Sequence, residues 1–160
     1  MILVTVGMQL GFDRLIEAMD AIAPTLGQEV IAQTGQGEYR PKHMEMHAKI
    51  APQEFEALVE RCSLIVSHAG IGSVLTAQRY GKPIVLFPRR HALGEHRNDH
   101  QVATVRHLEG RSGVIVAMDE SGLAGAIHEG LKAGASEAQR SPTATRLHDA
   151  VSRFIETGKL

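Results

Sequence analysis

Ile84-Val85-Leu86-Phe87 is an unbroken apolar run held between Pro83 and Pro88. A strand with one face in water alternates polar and apolar residues. A run without polar residues has to be covered on both faces, as in a parallel sheet flanked by helices. Other β-rich runs recur at Ile2 to Val6, Leu64-Ile65-Val66 and Val114-Ile115-Val116, and Glu29 to Ala32 and Glu45 to Ile50 are expected as further strands. Helical periods separate them. Phe12, Leu15, Ile16 and Met19 share one face of a helix expected from Phe12 to Ala23 and stopped by Pro24. Pro52 opens a second helix, where its missing N–H costs little, carrying Phe55, Leu58 and Val59. Others are expected from Ile71 to Tyr80, ending at Gly81, from Arg97 to Leu108, from Glu120 to Lys132 and from Thr143 to Thr157, the last two joined by a loop over Ala133 to Ser141. Six short strands, each followed by a helix, predict an α/β fold: an open parallel sheet with helices on both faces.

Composition narrows the function. A chain of 160 residues suits one domain, here residues 1–160. A formal net charge of -1 gives no broad attraction to a phosphate backbone, and Tyr39 and Tyr80 are too few to stack bases, so nucleic acid is not the expected partner. No run approaches the ~20 apolar residues of a membrane span, and the N-terminus reads as a strand rather than a leader. The single cysteine, Cys62, allows no internal disulfide and is expected as a buried small hydrophobe in a cytoplasmic protein. The nine histidines are scattered. His96 and His100 lie four apart and would share a helical face, but the neighbouring arginines would repel a cation, so no metal and no cofactor is expected.

In sheets of this kind ligands bind outside the carboxyl ends of the strands. Three strand ends are rich in suitable groups. Gly7-Met8-Gln9-Leu10-Gly11 follows the first strand, where glycine allows close backbone approach to a ligand or simply makes the turn. Ser67-His68-Ala69-Gly70-Ile71-Gly72-Ser73 lies between a buried strand and a helix and forms a candidate diphosphate cradle at the helix N-terminus, with His68 expected to face the ligand. It is neither a dinucleotide fingerprint, since Thr76 stands near the third glycine position, nor a P-loop. The third segment runs from Pro88 to Gln101. Glu95, Asn98, Asp99 and Gln101 suit sugar hydroxyls there, the arginines of the segment, Arg89, Arg90 and Arg97, suit a phosphate or a carboxylate, and His96 is expected as a ligand contact.

With these segments in view, the sequence resembles the C-terminal, donor-binding domain of glycosyltransferase family 28, in its stand-alone subunit form. The resemblance covers nearly the whole chain. It runs through Val4-Thr5-Val6-Gly7, Phe12-Asp13-Arg14-Leu15-Ile16, Ser67 to Ser73, Gly81-Lys82-Pro83 and Asn98-Asp99-His100-Gln101. Pro88-Arg89-Arg90 with Leu93-Gly94-Glu95-His96-Arg97 is similar to the bacterial PssE-like glucuronosyltransferase branch. The soluble subunit of the eukaryotic dolichol-linked N-acetylglucosaminyltransferase is another look-alike.

The resemblance implies a Rossmann-like sheet forming the C-terminal half of a GT-B enzyme split between two chains. It implies that Gly7, Met8, Gln9 and the residues His68 to Ser73 hold the diphosphate of a UDP-sugar, which is a substrate and not a cofactor, and that Asp99 and Gln101 contact the sugar. Full-length members place a ribose-binding glutamate where Thr76 stands, leaving Thr76 or Glu95 for that contact. The implied activity is inverting transfer of glucuronic acid from UDP-glucuronic acid to a lipid-linked saccharide in exopolysaccharide biosynthesis. A membrane-associated, acceptor-binding partner subunit would supply the base and recruit this chain to the inner face of the cytoplasmic membrane. Leu147, Val151, Phe154 and Ile155 would pack on that partner or on the core. An N-acetylglucosamine donor and a non-catalytic nucleotide-sugar binding module remain as alternatives.

Overall fold

A computed structural model describes residues 1–133. The expected helix over Thr143 to Thr157 and the loop before it lie outside the described residues. Six strands form one sheet: β1 (Ile2–Thr5), β2 (Val30–Gln33), β3 (Glu45–His47), β4 (Leu64–His68), β5 (Ile84–Phe87) and β6 (Val114–Val116). Their order is β3-β2-β1-β4-β5-β6 and every pairing is parallel. Ile2 is level with Val30 on one side and Leu64 on the other. The chain therefore winds outward from β1 to β3 and then returns to β4, which places the topological switch point, and the crevice that comes with it, between β1 and β4.

The helices are α1 (Asp13–Ile22), α2 (Pro52–Arg61), α3 (Ile71–Arg79), α4 (His100–Leu108) and α5 (Glu120–Ala133). Alternate residues along each strand point to opposite faces, and the core divides accordingly. Ile2, Val4, Val66, Val85 and Phe87 pack against Leu15, Ile16 and Met19 of α1 and Leu123 and Ile127 of α5. Leu3, Ile65, Ile84 and Leu86 pack against Leu58 and Val59 of α2, Val74 and Ala77 of α3, and Val105 and Leu108 of α4. Each such side chain withdrawn from water contributes about 1.5–3 kcal/mol, so strand residues buried on both faces hold the sheet together.

One connection departs from the expected alternation. No helix separates β2 from β3. The intervening segment carries Gly37 and Pro41 and has no apolar helical period, so it has no face to bury as a helix. Two carboxylates of α1, seven residues or two turns apart on one face, satisfy its amides instead. Asp13 accepts hydrogen bonds from the N–H groups of Glu38 (3.0 Å) and Tyr39 (3.2 Å). Asp20, itself buried, accepts from the N–H groups of Lys42 (3.0 Å) and His43 (2.7 Å) and from the Tyr39 hydroxyl (2.8 Å). Burial opposes ionisation of Asp20, but these donors outweigh it and hold its carboxyl below the ordinary value. Cys62 is buried, and burial pushes its thiol up.

Candidate functional site

The loops after β1, β4 and β5 converge at the carboxyl edge of the sheet. They surround an open cavity of about 350 Å³ lined by Gly7, Met8, Gln9, His68, Arg89, His96 and Gln101, together with Val6 and Leu10. A second cavity of about 400 Å³ shares Gln9, Leu10 and His96 with the first and adds Gly94, Glu95 and Arg97. Residues expected at the site from three separate segments therefore meet in one cleft beside the switch point.

His68 ends β4, and its ring lies between two glycines. A Cβ on Gly7 would come within 3.2 Å of His68 Cε1, and one on Gly70 would collide with His68 Nε2. Gly7 also has φ +83°, where glycine is strongly favoured. These glycines make room for the imidazole as much as for a ligand. Ser67, fully buried, places its hydroxyl 3.2 Å from His68 Nδ1. Burial, then the charge of Arg89, pushes the imidazole down to about 4, so His68 is neutral at pH 7.

The helix after this turn begins without a side-chain cap. The leading N–H groups of a helix have no partner within it, and at α3 they belong to Ile71, Gly72 and Ser73. Gly72 is exposed, and a Cβ there would meet nothing within 4 Å. The cradle expected between Gly70 and Ser73 is thus open, although these residues stand beside the first cavity rather than in its lining. Thr76 lines neither cavity; its hydroxyl donates to the Gly72 carbonyl one turn back (2.9 Å).

Arg89 and Arg90 are not the outstretched cations expected from the sequence. Arg89 is 2% exposed and gives its guanidinium to main-chain carbonyls of the first loop, Gly11 (2.5 Å), Val6 (2.8 Å) and Leu10 (3.2 Å), over the Phe12 ring. It shapes that loop while leaving a buried positive charge at the cavity wall. Arg90 donates to the Met118 carbonyl (2.6 Å), away from the cleft lining, and its Nε is buried without a partner among the described residues.

Glu95, expected as a ribose or sugar contact, is instead a brace. Its carboxylate takes Nε and Nη2 of Arg14 (2.5 and 3.0 Å) and the Arg90 N–H (2.8 Å). Arg14 reaches on to the Pro88 carbonyl and to Glu120 and stacks over Phe87. Gln101 joins two strand ends, its Oε1 accepting from the N–H groups of Arg89 (3.0 Å) and of buried Ala69 (3.3 Å). The Gln101 amide nitrogen has no partner among the described residues, leaving two donors for a ligand in the cavity it lines.

The third segment is less helical than expected. The helix begins at His100, not Arg97, because polar side chains organise the preceding residues locally. Asn98 Oδ1 accepts the His100 N–H (3.1 Å), and Asp99 Oδ1 accepts the His91 N–H (3.0 Å). Asn98 and Asp99 therefore shape the loop and line neither cavity. His96 precedes the helix, so it shares no helical face with His100. Its Nδ1 is buried without a partner among the described residues, although the residue lines both cavities.

Leu10 and Arg97 fall in segments singled out from the sequence, but sequence reasoning gave Arg14 no part in the site. Arg14 sits in an amphipathic helix, and nothing in its spacing signals a partner 81 residues away. The exposed large apolar side chains among the described residues are Met8, Leu10, Ile71 and Leu93. Met8 and Leu10 line the cleft, Ile71 begins α3, and Leu93 lies in the segment after β5. No helix among the described residues is long and apolar enough to cross a membrane.

Solved structures share this architecture. The spinosyn forosaminyltransferase SpnP superposes with a TM-score of 0.57 at 22% identity, over 81% of this chain and 34% of that one. Acinetobacter baumannii MurG gives 0.59 at 17% identity, over 94% and 49%. The calicheamicin glycosyltransferase CalG4 gives 0.55 at 19%, over 99% and 38%. These likenesses establish the fold, and the chain spans a third to a half of the length of the three proteins. No curated protein sequence matches it. The family model for the "Glycosyltransferase family 28 C-terminal domain" matches residues 1–154, and the chain belongs to that family.

Proposed function

We propose that this chain is the donor-binding part of a two-component inverting glycosyltransferase, with UDP-glucuronic acid as donor and a lipid-linked saccharide as acceptor. The observation that carries the reading is the cleft at the switch point. Its lining holds the buried charge of Arg89 and the free amide nitrogen of Gln101 with a neutral His68, and the uncapped N-terminus of α3 follows two residues after His68. Backbone N–H groups at a helix start and a nearby cation suit a diphosphate and stabilise it further as charge develops on it in the transition state.

The chemistry also says what is missing. Transfer requires a base to take the acceptor hydroxyl proton. Among the described residues the carboxylate lining the cleft is Glu95, and it is held by Arg14. Burial and the charge of Arg89 lower the basicity of His68. In this reading the base comes from the acceptor-binding partner, as the family resemblance implies. The apolar side chains of Met8, Leu10, Ile71 and Leu93 offer that partner a surface around the cleft. Attachment to the inner face of the cytoplasmic membrane would then follow from the partner.

Calorimetric titration with UDP, UDP-glucuronic acid, UDP-N-acetylglucosamine and NAD tests the reading. Saturable binding of uridine nucleotides and none of NAD is expected. Gly72→Asp is the informative variant. Its side chain enters open space and its charge favours the start of α3, so the protein folds while a diphosphate is repelled. Undiminished UDP binding by this variant would remove the diphosphate from α3.

A further inference from the structure

The first cavity continues into the second past Gln9, Leu10 and His96, and among the described residues the second has one cation whose guanidinium is uncommitted. Arg97 is exposed on this wall and makes no hydrogen bond or ion pair among the described residues. The other arginines near the cleft are occupied. Arg89 and Arg90 donate to main-chain carbonyls, and Arg14 is bound by Glu95 and Glu120. Among the described residues the carboxylate in the second cavity's lining is Glu95, already matched by Arg14, so Arg97 adds a positive charge that no described carboxylate balances.

We propose that Arg97 selects an acidic donor sugar by pairing with its carboxylate in the second cavity, while the nucleoside diphosphate occupies the first. This rests on the donor-binding reading and changes its specificity group from Arg89 or Arg90 to Arg97. A planar guanidinium can receive a carboxylate on two parallel N–H bonds, which a neutral hydroxymethyl group at the same sugar carbon cannot reproduce. Gly94, in the left-handed region at φ +71°, turns the chain just ahead of Glu95. Glu95 then anchors the loop two residues before Arg97, so the guanidinium is carried on a short tether from a fixed point.

The experiment compares binding of UDP, UDP-glucose and UDP-glucuronic acid by the natural chain, Arg97→Gln and Arg97→Lys. Loss of Arg97 should weaken UDP-glucuronic acid by on the order of tenfold, to the level of UDP-glucose, and leave UDP and UDP-glucose unchanged. Lysine, with charge but no planar fork, should restore part of the preference. The proposal is overturned if Arg97→Gln keeps the preference for the acidic sugar. It is equally overturned if all three ligands weaken together, which would put Arg97 on the diphosphate, or if the natural chain binds UDP without preferring glucuronic acid. Absence of UDP binding altogether would instead sink the donor-binding reading itself and take the proposal with it.

Discussion

The imidazole of His68 fills the space that a side chain on Gly70 would require. Gly70 has φ -88° and ψ 135°, a conformation open to any residue, so glycine is needed here for the neighbouring ring and not for the backbone. Gly70→Ala should cost about 1–3 kcal/mol through overpacking, read from urea unfolding. Combining it with His68→Ala should recover part of that loss, because the colliding atoms are gone. Strict additivity in this double-mutant cycle would show that the two residues do not meet.

The same ring makes stability depend on pH. The folded-state value of His68, about 4, lies below the ordinary 6.5. Between these values the unfolded chain binds more protons than the folded one, so stability falls as pH drops from 6.5 to 4 and is flat for this group above that window. The loss is worth roughly 1.4 kcal/mol per pH unit at most. A second decline, from Asp20, belongs below 3.8, because its carboxyl is depressed in the folded state. Urea midpoints at pH 7, 5.5 and 4.5 should fall for the natural chain and flatten in His68→Gln. An equal slope in both proteins would assign the effect to other groups.

Arg14 and Glu95 form a forked pair that is largely shielded from water. Glu95→Gln leaves Arg14 without its counter-charge and should destabilise the fold by about 2 kcal/mol, between the values for exposed and buried pairs. Arg14→Lys should not rescue function, since an ammonium cannot reproduce the two parallel bonds. Because the pair holds the loop over the second cavity, both variants should also weaken UDP-sugar binding more than UDP binding. Calorimetry on folded samples separates the two effects, and equal losses for both ligands would show that the brace does not shape the sugar side.

Asp20→Asn tests the carboxylate that stands in for a crossover helix. The neutral amide still offers an oxygen but loses the charge that several donors share. The expected result is a loss of about 2 kcal/mol and faster cleavage by trypsin after Lys42. An unchanged cleavage rate would show that the segment is held by other contacts.

The sheet was legible because its strands are apolar in a way few other elements are. Ile84 to Phe87 and Val114 to Val116 coincide with β5 and β6, and Pro52 opens α2 as its place in the chain suggests. Glu95, Asn98, Asp99 and Gln101 were readable as a polar cluster at a strand end. Their individual work was not, since a carboxylate that braces a loop and one that awaits a hydroxyl have the same sequence. What separates them is a partner such as Arg14, brought near only by the returning chain. The missing helix between β2 and β3 follows the same logic, because Asp13 and Asp20 look like ordinary surface residues of α1 until the segment they hold has folded onto them.

The turn at Gly94 has consequences for how this cleft can diversify. The loop is tied on one side through Arg90 and Glu95 and on the other through Asp99 and Gln101, and all of these ties end on the sheet frame or on one another. Residues at the tip, such as Leu93 and Arg97, carry none of that tension. A substitution at either tip position therefore leaves these ties, and the fold beneath them, in place.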